Sequence, residues 1–180
     1  MREILILLVG ILFVSNPMQA LDTNPTNPKT VTEQDTLTSM PKVFVLGYNE
    51  SAYDKLSVEY SASLIEVNAE DAAQAQKMWT TMIVEMEAYA DMLDFDIKGV
   101  KMWMHVFWNE KGEIKHIGFY LKQSSRNIDT NELTSFLMDF MNNYYVPRDF
   151  GKKFSHISGS GVAFPTMNWQ VKKRMASKGK

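Results

Sequence analysis

The spacing of apolar positions changes along this chain, and each change marks an element. Residues 100–108 and 113–121 are two apolar-rich runs separated by the polar break Asn109-Glu110-Lys111-Gly112. Side chains alternate across a strand. Met102, Met104, Val106 and Trp108 therefore share one face of the first run, and Trp103, His105 and Phe107 share the other. Gly112 can supply the positive φ that a short hairpin loop needs. The pattern predicts a β-hairpin.

Elsewhere the apolar spacing is helical. Between residues 69 and 93, Ala75, Met78, Trp79, Met82, Ile83, Met86, Tyr89, Ala90 and Leu93 recur every three or four positions, a stripe that one core would bury. Asn68 is the expected N-cap, with Glu70 and Asp71 in the first turn and an end near Asp94. Leu133, Phe136, Leu137, Phe140 and Met141 predict a second helix over 130–143, capped by Asp129 or Thr130 and stopped before Pro147. Tyr53, Leu56 and Tyr60 sit at helical spacing and predict a short helix within 51–60. Short strands are expected at 42–46 and 63–67. A last strand starts near Phe154, includes Ile157, breaks at Ser158-Gly159-Ser160-Gly161 and resumes through 162–164. The sum is an α+β domain over 41–168: a mainly antiparallel sheet of three to five strands with two helices packed on one face.

The ends read differently. Met1-Arg2-Glu3, the apolar run 4–14 and the polar stretch 15–20 ending in Ala20 have the layout of a secretory signal peptide. Its apolar run falls short of the roughly 20 residues that span a bilayer, so no membrane span is expected after cleavage. Residues 21–40, rich in Thr, Asn and Pro, read as a flexible tether. Residues 169–180 read as a basic, solvated tail. The chain contains no cysteine and has a formal charge of −2, which gives no reason to expect nucleic acid as its partner. An exported protein of a bacterial envelope, periplasmic or extracellular, fits these features.

Nothing in the motifs supports catalysis. There is no thiol, no Gly-x-Ser-x-Gly elbow and no phosphate-binding loop, and Glu85, Glu87, Asp91, Asp94 and Asp96 fit the solvated face and end of the long helix. The expectation is a non-enzymatic protein without a cofactor. A hairpin turning at Glu110-Lys111 sets His105 opposite residue 116 or 117. A His105–His116 pair with His156 or Glu113 as third ligand is the metal-binding alternative, and the Met-lined crevice beside the long helix is the small-ligand one. A one-residue change of register would part the two imidazoles. Protein binding has more in its favour. With helices on one side only, Trp103 and Phe107 form an exposed aromatic face, unless the 51–60 segment or the N-terminal strands cover it. The last strand, carrying Phe154, His156 and Ser158, is a candidate edge for strand addition by an envelope protein or peptide.

The order of pieces from 97 to 165 supports the same reading. Ile97-Lys98-Gly99 precedes the Met102–Met104–Val106–Trp108 alternation, followed by the Asn109-Glu110-Lys111-Gly112-Glu113-Ile114 turn and an acidic helix start at 129–132. Tyr145-Val146-Pro147 follows the helix, then Gly151-Lys152, and the last strand closes on Phe164-Pro165. This resembles the C-terminal domain of the TonB energy-transducer family. The resemblance implies a shared fold and the binding of a short extended peptide by strand addition. Coupling to an inner-membrane motor is not implied: the N-terminal apolar run is too short for the membrane helix, and the tether is about a third of what the reach of such a transducer's Pro-rich spacer needs.

Overall fold

The computed structural model describes residues 40–167 and 174. The stretches expected to be a signal peptide, a tether up to residue 39 and, apart from Arg174, a basic tail lie outside the described residues. In chain order the elements are β1 (Val43–Val45), α1 (Glu50–Glu59), β2 (Ala62–Ser63), α2 (Ala72–Met92), β3 (Lys101–Trp108), β4 (Ile114–Leu121), α3 (Thr130–Asn143), β5 (Phe154–Ile157) and β6 (Val162–Ala163). Among the described residues the fold is α+β, with helices α1, α2 and α3 and a mixed six-stranded sheet. A single 3-10 turn, Glu66–Asn68, follows β2.

The hairpin is the centre of the sheet. Strand order is β1-β4-β3-β5-β2, with β6 pairing β3 beyond the end of β5. β3 is antiparallel to β4, β5 and β6, while β1 runs parallel to β4 and β2 parallel to β5. Six strands thus replace the expected three to five, and the outer two are parallel.

One face of β3 is the main core. Met102, Met104, Val106 and Trp108 are buried against Trp79, Met82 and Met86 of α2 and against Leu133, Phe136, Leu137 and Phe140 of α3. The two long apolar stripes found their sheet, as their spacing predicted. The other face is not bare. α1 lays Tyr53, Leu56 and, at its C-cap, Tyr60 over Phe107, with Phe44 and Met40 completing a second cluster. Ring centroids of Tyr60, Tyr53 and Phe44 stand 5.5, 6.4 and 6.4 Å from that of Phe107, and the Tyr53 and Tyr60 rings meet it edge-on. Helices therefore cover both faces, which corrects the expectation of two helices on one side. Met40, expected at the end of the tether, belongs to this cluster.

Local corrections have plain causes. Asp71, not Asn68, caps α2: its Oδ1 accepts from the backbone N–H groups of Ala73 and Gln74 at 2.9 and 3.0 Å. Ala69 and Glu70 take positive φ, so the chain must turn before the helix can begin. Asn68 is buried instead, donating from Nδ2 to the Leu64 carbonyl at 2.8 Å. Of the second expected strand, 63–67, only Ser63 lies in β2, which begins one residue earlier at Ala62, because the chain coils into the 3-10 turn at Glu66. α3 starts as predicted, with Asp129 Oδ1 accepting from the N–H groups of Asn131 and Glu132.

The hairpin loop is clamped from outside. Gly112 has φ 79°, and its carbonyl accepts from the Val146 N–H at 3.0 Å. A Cβ there would stand 2.3 Å from the Val146 carbonyl oxygen. Gly112→Ala combines a strained backbone with a clash against main chain. It is expected to lower unfolding free energy by at least about 2 kcal/mol in urea titration. An unchanged midpoint would contradict this packing.

Candidate protein-interaction site

The residues expected at a free edge lie largely inside. Phe154 is fully buried and stacks on Trp108, centroids 5.1 Å apart, while its backbone is flanked by β3 on one side and Ala62 of β2 on the other. His156 is half-buried with its ring centroid 4.6 Å from that of Trp79 of α2. Ser158 is buried too. Its N–H donates to the Met104 carbonyl and its Oγ accepts from the Met104 N–H, both at 2.9 Å. The hydroxyl stands in for the ladder acceptor where the chain swings out between β5 and β6. Ser158 is a ladder residue, not an edge donor. Phe107 is fully buried under α1, so Trp103 and Phe107 do not form one exposed aromatic face.

What remains open is half of that face. α1 spans ten residues, about 15 Å, whereas the eight residues of β3 extend about 26 Å. Beyond the reach of α1, Trp103 is 37% exposed and its cross-strand partner Tyr120 55%. Lys122 Nζ lies 4.3 Å from the Trp103 ring centroid and donates to the Ser160 carbonyl. Ile157, paired with His105 and therefore on the same face, is 54% exposed. The outer side of β5 is open at the same place. β2 reaches only as far as Ser155, whose carbonyl accepts from the Leu64 N–H at 3.1 Å. By alternation the N–H and C=O of Ile157 point the same outward way. Tyr120 was not legible: the expected register sets Trp103 opposite residue 118 or 119, and the bulge brings Tyr120 there instead. Ile157 had no signal either.

The three histidines do not converge. A bulge lies between the Phe107↔His116 and Trp108↔Ile114 pairs, leaving Lys115 without an opposite residue. His105 consequently faces Gly118, and Phe107 sits between the two imidazoles, its ring centroid 3.9 Å from that of His105 and 6.3 Å from that of His116. His156 pairs with Val106 and so points to the opposite face. Among the described residues no group of three or more His, Cys, Asp or Glu side chains is placed to hold a metal. His105 instead ties α1 to the sheet, its Nδ1 2.8 Å from the Tyr53 hydroxyl. Its Nε2 is buried and has no hydrogen-bond partner among the described residues.

Comparison of the chain with family models, curated proteins and solved structures finds no match.

Burial, reinforced by the nearby His156, pushes the His105 imidazole down to about 4. The unfolded chain titrates near 6.5 and so binds a proton that the folded chain refuses between those values. Stability from this residue is complete above pH 6.5 and is lost as pH falls toward 4. Burial lowers His156 in the same direction. Between pH 7.5 and 4.5, wild type is expected to lose about 2 kcal/mol more in urea unfolding than His105→Phe. Equal losses would contradict a neutral, buried His105.

Proposed function

We propose that this chain is an exported, non-enzymatic interaction module of a bacterial envelope, TonB C-terminal-like, that binds an extended segment of an envelope protein by strand addition. The observation that carries the reading is the outer side of β5 at Ile157, left unpaired by β2, with Trp103 and Tyr120 exposed on the same sheet face as the Ile157 side chain. An unpaired strand edge offers main-chain hydrogen bonds, and adjoining aromatic area supplies apolar contact for alternate side chains of the added strand. The order β3–β4–α3–β5, with the hairpin's first strand central, supports the TonB-like reading. Export rests on the apolar run 4–14 and the polar stretch ending at Ala20. Among the described residues no helix is long and apolar enough to cross a membrane.

Ile157→Pro tests strand addition directly. Proline removes an outward N–H while leaving the inner β3–β5 ladder intact. With the full tagged chain as bait in the cells that make it, a specific envelope protein should be recovered by wild type. Ile157→Pro should lose it with a melting temperature within a few degrees of wild type. Ser158→Pro breaks the inner ladder instead, and should lower the melting temperature itself. Recovery undiminished by Ile157→Pro would sink strand addition at this edge, and no specific recovery by wild type would count against the interaction reading as a whole.

A further inference from the structure

A second concave site lies away from that edge, between α2 and the loop that leaves α3. It is a cleft of about 250 Å³ walled by Lys77, Met78 and Glu85 of α2 and by Tyr144, Arg148 and Phe150 opposite. That volume is below the roughly 300–1,000 Å³ of pockets for drug-sized ligands, so the occupant is small. Charge is divided between its ends. Lys77 and Arg148 lie toward the start of α2. Glu85 lies eight positions further along, about 12 Å of helix, beside the Tyr144 phenol, which burial and then the Glu85 carboxylate push upward.

The cationic end is held in place. Arg148 donates from Nη1 to Asn68 Oδ1 at 2.9 Å and from Nη2 to the Val67 carbonyl at 3.4 Å, with its guanidinium carbon 5.0 Å from the Phe150 ring centroid. The two bonds leave further N–H groups of the guanidinium for a ligand. Its orientation is fixed before anything binds, which lowers the ordering cost of recognition. Asn68, 4% exposed and itself anchored to Leu64, is the brace. The middle of the cleft, at Met78, Tyr144 and Val146, is apolar and adaptable.

We propose that this cleft binds a short apolar peptide with free ends, two or three residues long. Its carboxylate lies at Lys77 and Arg148, and its ammonium at Glu85. At about 3.5 Å per extended residue, such a peptide spans about 7–10 Å between its ends. That suits side chains reaching inward from positions about 12 Å apart along the helix. A second carboxylate at the far end would meet Glu85, so a dicarboxylate is disfavoured, and a larger peptide would overrun the cleft.

The probe is Ala-Leu-Ala, titrated calorimetrically into the full chain beside its C-terminal amide and its N-acetyl form. Each cap removes one charge-assisted contact and should weaken binding about tenfold in wild type. Lys77→Ala should reduce the amide penalty, the Arg148 contact remaining, and Glu85→Gln should abolish the acetyl penalty. Both side chains are exposed, so neither substitution threatens the fold. Ile157→Pro should bind the peptide as wild type does, which separates this site from the sheet edge. No saturable binding up to about 10 mM, indifference to the caps, or penalties left unchanged by both substitutions would overturn the proposal. A penalty from amidation alone would overturn it as well, pointing to a simple apolar monocarboxylate.

Discussion

The burial of Phe107 is the contact on which the arrangement of the molecule depends. β3 is the central strand of the sheet and has large apolar side chains on both faces, so neither face can be left wholly to water. α2 and α3 seal one side with a continuous core. On the other, the chain before the hairpin supplies β1 and α1, and Phe107 becomes the residue around which Phe44, Tyr53 and Tyr60 gather. Fully burying such a ring is worth about 1.5–3 kcal/mol, with edge-on aromatic contacts adding to it. α1 has a weak apolar stripe of its own, with Leu56 its one buried residue, so its place is set mainly by this ring.

The same contact sets where the protein can meet a partner. A helix of ten residues covers the Phe107 end of β3 and leaves the Trp103 end outside. His105 marks the boundary: it is buried, bonded to Tyr53 of α1, and opposite the exposed Ile157. The open sheet edge and the exposed aromatics each begin where a short element stops, β2 along the edge and α1 over the face. Ser158 keeps the core strand continuous at that point. Its hydroxyl satisfies the Met104 N–H as β5 gives way to β6, which leaves Ile157 as the outward-facing residue.

Much of this was legible in the chain, and the misses share a cause. The hairpin, its two faces, the apolar stripes of α2 and α3 and the short helix around Tyr53 all follow from local period, which covers many residues at once. The pairing of β1 with β4 and of β2 with β5 could not be read. Strands of three and two residues carry no period, and parallel partners lie far apart in sequence. The bulge at Lys115 was equally silent, and it moves His105 one residue on, from opposite residue 117 to opposite Gly118. Phe154 and Ser158 were misplaced for the same reason, since a strand looks like an edge until its second neighbour is known. The Arg148–Asn68 brace joins residues 80 positions apart, and no local pattern announces it.

The most direct test of the half-covered sheet compares two truncations on one strand face. Phe107→Ala and Trp103→Ala, unfolded side by side in urea, differ only in which end of β3 they strip. The structure predicts a loss of about 3–5 kcal/mol for Phe107→Ala and under about 1 kcal/mol for Trp103→Ala. Comparable losses at the two positions would contradict it, because the face would then be either covered or open along its whole length.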